Sequence, residues 1–295
     1  MAAALLKEQG FAVTGVFLEC WNEPGCRTDA DRKDALSVAL KLKISFKTLD
    51  FKKEYRERVL ENFYREYRAG RTPNPDVWCN REIKFGLFLD KFKFIATGHY
   101  AQIKNNKLYQ SVDRNKDQTY FLAMLKAKQL RHVLFPIGHL TKREVRAEAK
   151  KRGLHVWNKK DSTGICFIGH DLNFREFLQR RIPVHRGETV DKTGKIIGSH
   201  QGVEFYTIGQ AFARPLFVID KDIKSNKLIV GTKADLARKE FTVESWSWIN
   251  LDSRSEILDS RLSCRIRHQG RLIPCRIEGK AVKLAKAEYG VASGQ

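Results

Sequence analysis

Two segments of the sequence hold the residue types that nucleophilic chemistry needs. In the first, Gly70–Asn80, a carboxylate, Asp76, lies three residues before a thiol, Cys79. The two prolines of this segment fix φ and restrict the residues before them, which predicts a stiff loop. A helix is predicted to begin near Asn80, and the positive end of its dipole would favour the thiolate. The segment is therefore either a preorganised nucleophile beside a carboxylate or a rigid turn whose cysteine only packs.

The second segment, Lys160–Gly169, places Cys166 after Ser-Thr-Gly and among apolar residues. Cys166 is either a packed strand cysteine or a thiol on a loop that moves against Cys79. A redox disulfide between Cys79 and Cys166, or persulfide exchange between them, needs Cα atoms about 5.5 Å apart. Sequence spacing does not show whether the two Cα atoms come this close. The six cysteines form no C-x-x-C pair and no finger-like spacing with histidine, so no metal site is predicted.

Three shorter motifs offer polar or flexible residues to a ligand. Ala96–Tyr100 ends a predicted strand and contains Gly98, where the lack of a Cβ would let a nucleotide approach the backbone. Lys116–Phe121 offers charged and amide side chains to a polar substrate, although this pattern is equally typical of a helix start. Tyr206–Gln210 is compact and has no assignable chemistry. None of the three specifies a function by itself.

The charge of the chain points to a polyanionic partner. Its 295 residues include 55 Lys and Arg against 34 Asp and Glu, a formal net charge of +21. Such residues bind nucleic acid by releasing counterions from phosphates; the alternative is a lysine-rich surface without such a partner. Residues 261–295 hold eight Lys and Arg against two Glu, which favours a surface that faces nucleic acid. No apolar stretch approaches the ~20 residues of a membrane span and no signal peptide is evident, which predicts a cytoplasmic protein that binds no membrane.

The elements that must position these residues change in type along the chain. Helices are predicted at 2–9, 28–43, 53–68, 81–91 and 141–153, alternating with strands at 11–18, 44–51 and 92–97. Leu36, Ala39 and Leu40 share one face of the second helix. The alternation predicts an α/β fold with a doubly wound parallel sheet, which binds ligands at the carboxyl ends of its strands. Beyond Ile182, short strands and turns predict β-structure that ends in a small barrel. We divide the chain into domains at 1–180, 181–239 and 240–295.

Together these segments resemble the tRNA-specific 2-thiouridylases (MnmA/TrmU). The family's T-P-N-P-D-x-x-C-N matches Thr72–Asn80, and its A-T-G-H-Y matches Ala96–Tyr100. Its K-D-Q-[ST]-Y-F-L matches Lys116–Leu122, its K-x-D-S-T-G-I-C-F-I-G matches through Asp161–Gly169, and its Y-T-I-G-Q matches Tyr206–Gln210. These motifs are long, ordered and spread over most of the chain.

The resemblance implies a fold and an activity. The fold is an adenine nucleotide alpha hydrolase-like (PP-loop) domain, followed by a small central β-rich domain and a C-terminal tRNA-binding β-barrel. The activity is ATP-dependent 2-thiolation of the wobble uridine, position 34, of tRNA. In it, ATP with Mg²⁺ adenylates the C2 oxygen, and sulfur carried as a cysteine persulfide displaces AMP. The resemblance also implies a persulfide sulfur-donor or relay protein as a partner, and a monomeric enzyme.

The matching positions carry family roles into this sequence. Cys79 would be the nucleophile, Cys166 the persulfide cysteine and Asp76 the acid/base. ATP would be bound by Gly98 and by Leu18, where the family more often has Met. The remaining implied contacts are to tRNA: Asn74, Pro75 and Asp76 on the target base, and elsewhere His99, Lys116, Asp117, Gln118, Arg267, His268 (usually Tyr in the family) and Gln295.

The sequence departs from the family at its ends. The family opens with a strand and the phosphate-binding loop S-G-G-V-D-S-S, whereas Met1–Leu6 matches the helix that follows that loop. We therefore expect a sheet that lacks its first strand and a barrel that is incomplete. We also expect 2-thiouridine only from the chain extended by that strand and loop. The alternatives are a tRNA-binding pseudoenzyme and a thiol–disulfide oxidoreductase that uses Cys79 and Cys166.

Overall fold

The computed structural model describes residues 1–22, 28–161, 167–168, 173–250 and 261–295. Its helices are α1 (Ala2–Glu8), α2 (Thr28–Leu42), α3 (Lys52–Tyr55), α4 (Glu61–Arg68), α5 (Pro75–Trp78), α6 (Ala127–Leu130), α7 (Lys142–Lys151) and α8 (Phe174–Gln179). A π-helical turn at Arg56–Leu60 joins α3 to α4, and a longer π-helix at Cys79–Phe88, kinked at Gly86, extends α5. Short 3₁₀ helices occupy Leu89–Lys91, Thr119–Leu122, His155–Asn158, Val203–Phe205 and Lys233–Leu236.

The strands fall into an early group and a late group. The early strands are β1 (Thr14–Glu19), β2 (Ser45–Asp50), β3 (Ile95–Ala96), β4 (Ala101–Lys104), β5 (Lys107–Gln110) and β6 (Val133–Leu134). The late strands are β7 (Gly187–Asp191), β8 (Ile196–His200), β9 (Ala211–Ala213), β10 (Leu216–Asp222), β11 (Lys227–Gly231), β12 (Ala237–Thr242), β13 (Leu262–Cys264), β14 (Ile273–Glu278) and β15 (Ala281–Tyr289).

The chain divides into two units. The first unit comprises Met1–Leu60, Pro75–Leu172 and Ser247–Asn250. The second unit comprises Glu61–Asn74, Asn173–Trp246 and Leu251–Gln295. None of the helices in the described ranges is long and apolar enough to cross a membrane.

In the first unit, parallel strand pairs alternate with helices. β1 pairs with β2 from Thr14↔Ser45 to Glu19↔Asp50, with α2 between them in the chain, and β3 pairs with β6. This confirms the predicted α/β alternation, although within the described residues the two parallel pairs form separate sheets. The helix α2 buries only Ala39. Its neighbours Leu36 and Leu40 are 42% and 69% exposed, so the shared face of α2 is only partly covered.

The hydrophobic core of the first unit holds the helix that follows Pro75 in place. Phe85, on that helix, packs in one cluster with β3, β6 and the segment around Leu122. Ile83 and Phe85 are both fully buried, and burying one such side chain contributes roughly 1.5–3 kcal/mol. The residues between and before them are thereby fixed relative to the strands. The buried members of the cluster are Phe85, Leu89, Ile95, Ala101, Leu122, Leu125, Leu130, Val133 and Phe135.

The second unit is mainly β-structure, as predicted for the chain beyond Ile182. A five-stranded sheet has the order β8-β7-β11-β10-β9, and a four-stranded antiparallel sheet has the order β12-β15-β14-β13. The helices α4 and α8 pack together through aromatic rings. Tyr64 stacks on Phe177 with 5.7 Å between ring centroids, and Phe63 contacts Phe174 and Phe177 edge-on.

Candidate functional site

The candidate nucleophile Cys79 lies one turn inside a helix. Pro75 begins α5, because a first-turn residue needs no backbone N–H and suits the fixed φ of proline. The π-helix Cys79–Phe88 then continues the helix, with a kink at Gly86. The predicted helix start near Asn80 is therefore wrong, and Cys79 does not occupy a helix N-terminus. Asp76 lies in the first turn, three residues before Cys79, a spacing that puts both on the same helix face.

Contacts along this helix hold it rigidly in the first unit. Cys79 is buried, with 8% of its surface exposed. The side-chain amide of Asn80 donates to the carbonyl of Phe121 at 3.0 Å. The guanidinium of Arg81 lies 4.9 Å from the centroid of the Trp78 ring. The Asn80 hydrogen bond and the burial of Ile83 and Phe85 anchor this helix in the first unit, so a reacting group on it keeps a defined position.

A cleft of about 750 Å³ is lined by residues of both β1 and β3. That volume lies within the roughly 300–1,000 Å³ of small-molecule sites. Leu18, near the carboxyl end of β1, and Gly98, just after β3, both line it. So do His99 and Gln118. The structure thus brings together the two residues matched to ATP binding and two of those matched to tRNA contact.

Two lysines that sequence analysis missed also line the cleft. Lys47 comes from β2, and Lys84 comes from the helix that carries Cys79. Neither has an ion-pair partner within the described ranges, and the lining contains no carboxylate. Phe88 and Phe92 add an apolar wall, with 5.1 Å between their ring centroids. The charged groups of the cleft are therefore cationic, beside apolar and aromatic surface, and only the fold brings Lys47 and Lys84 together.

The space beside Gly98 is not filled by a neighbouring side chain, which leaves room for a ligand. A Cβ built on Gly98 would meet no atom closer than Cδ1 of Ile137, at 3.9 Å. That distance is an ordinary van der Waals contact. Packing of the described residues therefore does not require glycine at this position, and a side chain there would project into open space.

His99 is a buried neutral side chain at the edge of the cleft. Its ring lies 5.6 Å from that of Phe85 and 5.8 Å from that of Phe135, and its Nδ1 is 2.7 Å from the Thr97 hydroxyl. Burial, assisted by the positive charge of Lys84, lowers the pKa of His99 to about 3. At neutral pH the imidazole is uncharged, so a tRNA contact by His99, which stays a prediction, would not be ionic.

The Lys116–Gln118 segment has one exposed cation and two side chains that serve the fold. The carboxylate of Asp117 is buried and accepts from the Ser111 N–H at 3.1 Å and the Thr119 hydroxyl at 2.7 Å. Gln118 accepts from the N–H of Tyr100 at 3.0 Å. Of the three predicted tRNA contacts, only Lys116 presents a partly exposed charge, and it pairs with Asp161.

In the second unit, Arg267 belongs to a cluster around a buried carboxylate. Glu288 lies 2.6 Å from Nε of Arg271 and 3.6 Å from Nη2 of Arg267. Burial of Glu288 favours its protonated form, but the Arg271 hydrogen bond and the charges of both arginines outweigh this, so its pKa lies below the usual value. Glu288 therefore orients two guanidinium groups, which remain about half exposed. The other two contacts predicted here are His268, half-buried, and Gln295, exposed at the end of the chain.

The Tyr206–Gln210 motif anchors the segment that leads to the nucleophile. The hydroxyl of Thr207 lies 3.4 Å from that of Thr72, and the N–H of Thr72 donates to the Ser293 carbonyl at 2.8 Å. Asn74, two residues further on, is half-buried. The predicted persulfide cysteine, Cys166, lies outside the described residues, and with it the predicted Cys79–Cys166 pair.

Comparison with protein-family models agrees with an α/β part followed by β-structure. Residues 1–170 match the family model of the tRNA methyl transferase HUP domain, residues 175–232 the tRNA methyl transferase PRC-barrel domain, and residues 238–295 the aminomethyltransferase beta-barrel domain. The chain is thus a PP-loop-type α/β domain followed by two β-barrel domains.

Individual relatives carry a single name. A tRNA-specific 2-thiouridylase MnmA of Nitrosomonas europaea is 42% identical, over all of this chain and 90% of the relative. Proteins of the same name from Streptococcus sanguinis and Streptococcus pyogenes serotype M1 are 43% and 45% identical. They align with 83% and 78% of this chain, and with 74% and 68% of their own lengths. The chain belongs to the MnmA/TrmU family of tRNA-specific 2-thiouridylases.

Proposed function

We propose that the chain is a tRNA-uridine 2-sulfurtransferase, which uses ATP to replace the C2 oxygen of the wobble uridine with sulfur. The observation that carries the proposal is the cleft. It combines Leu18 and Gly98 with Lys84, and Lys84 lies on the same anchored helix as Cys79. A nucleotide site and a nucleophile on one rigid frame are what an activation-and-displacement reaction needs, since orientation lowers its barrier.

The cleft residues fit ATP in size and chemistry. Phe88 and Phe92 provide apolar surface for adenine, and the lack of a side chain at Gly98 admits the ring and ribose. Lys47 and Lys84 would neutralise phosphate charge. The described residues that line the cleft include no carboxylate, so they do not fit a Mg²⁺ ion held by the protein alone. Mg²⁺ would be bound mainly by ATP itself.

The residues near Cys79 would then carry out the sulfur transfer. The C2 oxygen of uridine is a poor leaving group, and ATP supplies the chemistry that makes it a good one. Asp76, one turn before Cys79 on the same helix, would hold and return the proton. Cys166 would carry sulfur as a persulfide received from a donor protein, and its outer sulfur would attack C2 and displace AMP. The Cys79 thiolate, the proposed nucleophile, would then attack the inner sulfur of Cys166, which leaves the outer sulfur on C2 and forms a Cys79–Cys166 disulfide that an external thiol reduces.

The substitution Gly98→Val tests the nucleotide site. Valine fits the backbone and packing of the described residues, but its methyl groups would fill the space that ATP needs. We expect the dissociation constant for ATP, measured by calorimetry, to rise about tenfold or more, which is ~1.4 kcal/mol of binding free energy. Gly198→Val is the matched control, because a Cβ there meets no atom closer than 4.0 Å, on Phe212, and Gly198 lies outside the cleft. Equal ATP affinity in the two variants would place the nucleotide elsewhere.

The dependence of tRNA binding on salt tests the substrate class. With a net charge of +21 and half-exposed arginines oriented by Glu288, binding of unmodified tRNA should release many counterions. We expect affinity to fall by about 10³-fold between 50 and 200 mM salt, as for proteins that contact several phosphates. Filter binding across that range measures it. An affinity that does not change with salt would argue against tRNA as the substrate.

A further inference from the structure

Three cations converge on one carboxylate in the first unit. Nζ of Lys116 lies 2.8 Å from the carboxylate of Asp161, Nζ of Lys142 lies 2.7 Å from it, and Nη2 of Arg146 lies 3.7 Å from it. Lys142 and Arg146 are four residues apart on α7 and therefore share a helix face. The nearby carboxylate of Asp113 accepts hydrogen bonds from the backbone N–H groups of Asn115 and Lys142. The three cations therefore outnumber the two carboxylates.

Two buried donors beside these cations have no hydrogen-bond acceptor among the described residues. Tyr100 is 7% exposed, Nζ of Lys142 lies 5.9 Å from its ring centroid, and its hydroxyl makes no hydrogen bond in the structure described. Nε of Arg146 is likewise buried without a partner. Burial and the charges of Asp161 and Asp113 raise the pKa of Tyr100 to about 12, so its hydroxyl keeps its proton at neutral pH. A buried donor without an acceptor destabilises the folded chain, and a ligand with acceptor oxygens would relieve that cost.

Four residues that provide these donors and cations surround Asp161, and we name them the Asp161 cluster: Tyr100, Lys116, Lys142 and Arg146. We propose that the Asp161 cluster binds a backbone phosphate of tRNA, and that the Asp161 carboxylate fills this site as an internal counter-ion until the RNA displaces it. A phosphodiester resembles a carboxylate in carrying one negative charge on two free oxygens, and charge-assisted hydrogen bonds from Lys and Arg suit both.

The position of the cluster favours tRNA over ATP as the source of the phosphate. None of Tyr100, Lys142 and Arg146 lines the nucleotide cleft. The side chains of Lys116, Lys142 and Arg146 are 29–42% exposed, so a large ligand can reach them. This inference rests on tRNA being the substrate, and it adds Tyr100, Lys142 and Arg146 to the residues that hold it.

If the RNA phosphate displaces the Asp161 carboxylate, substituting Asp161 and substituting the cations around it should change tRNA affinity in opposite directions. Asp161→Asn removes the competing charge and keeps the shape, so tRNA affinity should rise several-fold at low salt. The double substitution Lys142→Ala and Arg146→Ala removes two of the three cations, so affinity should fall about tenfold and the salt slope should decrease by about 1, as for one lost phosphate contact. If Asp161 only stabilised the fold through its ion pairs, Asp161→Asn and the double substitution would both weaken tRNA binding.

The experiment measures binding of a fluorescent, unmodified tRNA to the full chain by anisotropy over a series of salt concentrations. Lys150→Ala is the control, because Lys150 lies on the same helix but contacts the Trp157 ring instead. Wild-type affinity in the double variant, or equal or weaker binding by Asp161→Asn, would overturn the inference while leaving tRNA binding by the parent chain intact. Loss of tRNA binding by the parent chain itself would instead contradict the proposed function. If Asp161→Asn does not fold, the double variant decides.

Discussion

Substitution of Cys166 by serine will abolish the loading of persulfide sulfur onto this chain. Loading requires a thiolate that attacks the outer sulfur of a donor persulfide and releases the donor thiolate. Cys264 and Cys275 are poor replacements for Cys166 in this reaction. Burial, together with the neighbouring Cys275 thiol, raises the pKa of Cys264 to about 11, and burial raises the pKa of Cys275 as well. Both remain protonated near neutral pH and are poor nucleophiles.

The measurement is intact mass after treatment with a persulfide donor. The parent chain should gain sulfur, the Cys166→Ser variant should gain none, and Cys264→Ser is the control that should load normally. Binding of tRNA should be unchanged in all three, which would exclude misfolding. Undiminished loading of Cys166→Ser, with no sulfur on Cys79, would contradict the assignment of Cys166.

Substitution of Cys79 by serine will eliminate 2-thiouridine formation and leave both tRNA binding and persulfide loading intact. Cys79 is held by an anchored helix beside Asp76, and a serine hydroxyl at this position would be a far weaker nucleophile than a thiolate. Loss of a catalytic nucleophile typically costs 10³-fold or more in rate. The rate is measured in the protein extended by the strand and S-G-G-V-D-S-S loop that the family resemblance implies.

The control for this prediction is Cys275→Ser, which changes a thiol of the second unit that is packed beside a hydrophobic cluster. It should retain a rate within a few-fold of the parent. A Cys79→Ser variant that forms 2-thiouridine at the rate of the Cys275→Ser variant would show that Cys79 only packs, which is the alternative left open by the sequence.

Features set by neighbouring residues were predictable from the sequence. Thr141 caps α7, with its hydroxyl accepting from the N–H of Glu144 at 3.2 Å and its own N–H donating to the Glu144 carboxylate at 2.7 Å. Gly10 ends the first helical segment with a φ of 85°, which favours glycine. The change from α/β to β-structure followed from the shortening of the predicted elements. Each of these depends on interactions within a few residues.

Features that depend on distant partners were not predictable. The prolines before Cys79 were interpreted as loop residues, but burial of Ile83 and Phe85 selects the alternative role of Pro75 as a first helical residue. A β4–β5 hairpin was missed although Asn105 and Asn106 adopt the positive φ values of a tight turn, because its strands are short and polar. The cleft lysines come from separate elements, so their proximity appears only in the folded chain.

The most direct test of the proposed function is nucleoside mass spectrometry of unmodified tRNA after incubation with ATP, a persulfide donor and the extended protein. We predict 2-thiouridine that requires ATP and is absent with Cys79→Ser. No 2-thiouridine from an extended protein that binds both ATP and tRNA would contradict the proposed sulfurtransferase and leave a tRNA-binding pseudoenzyme.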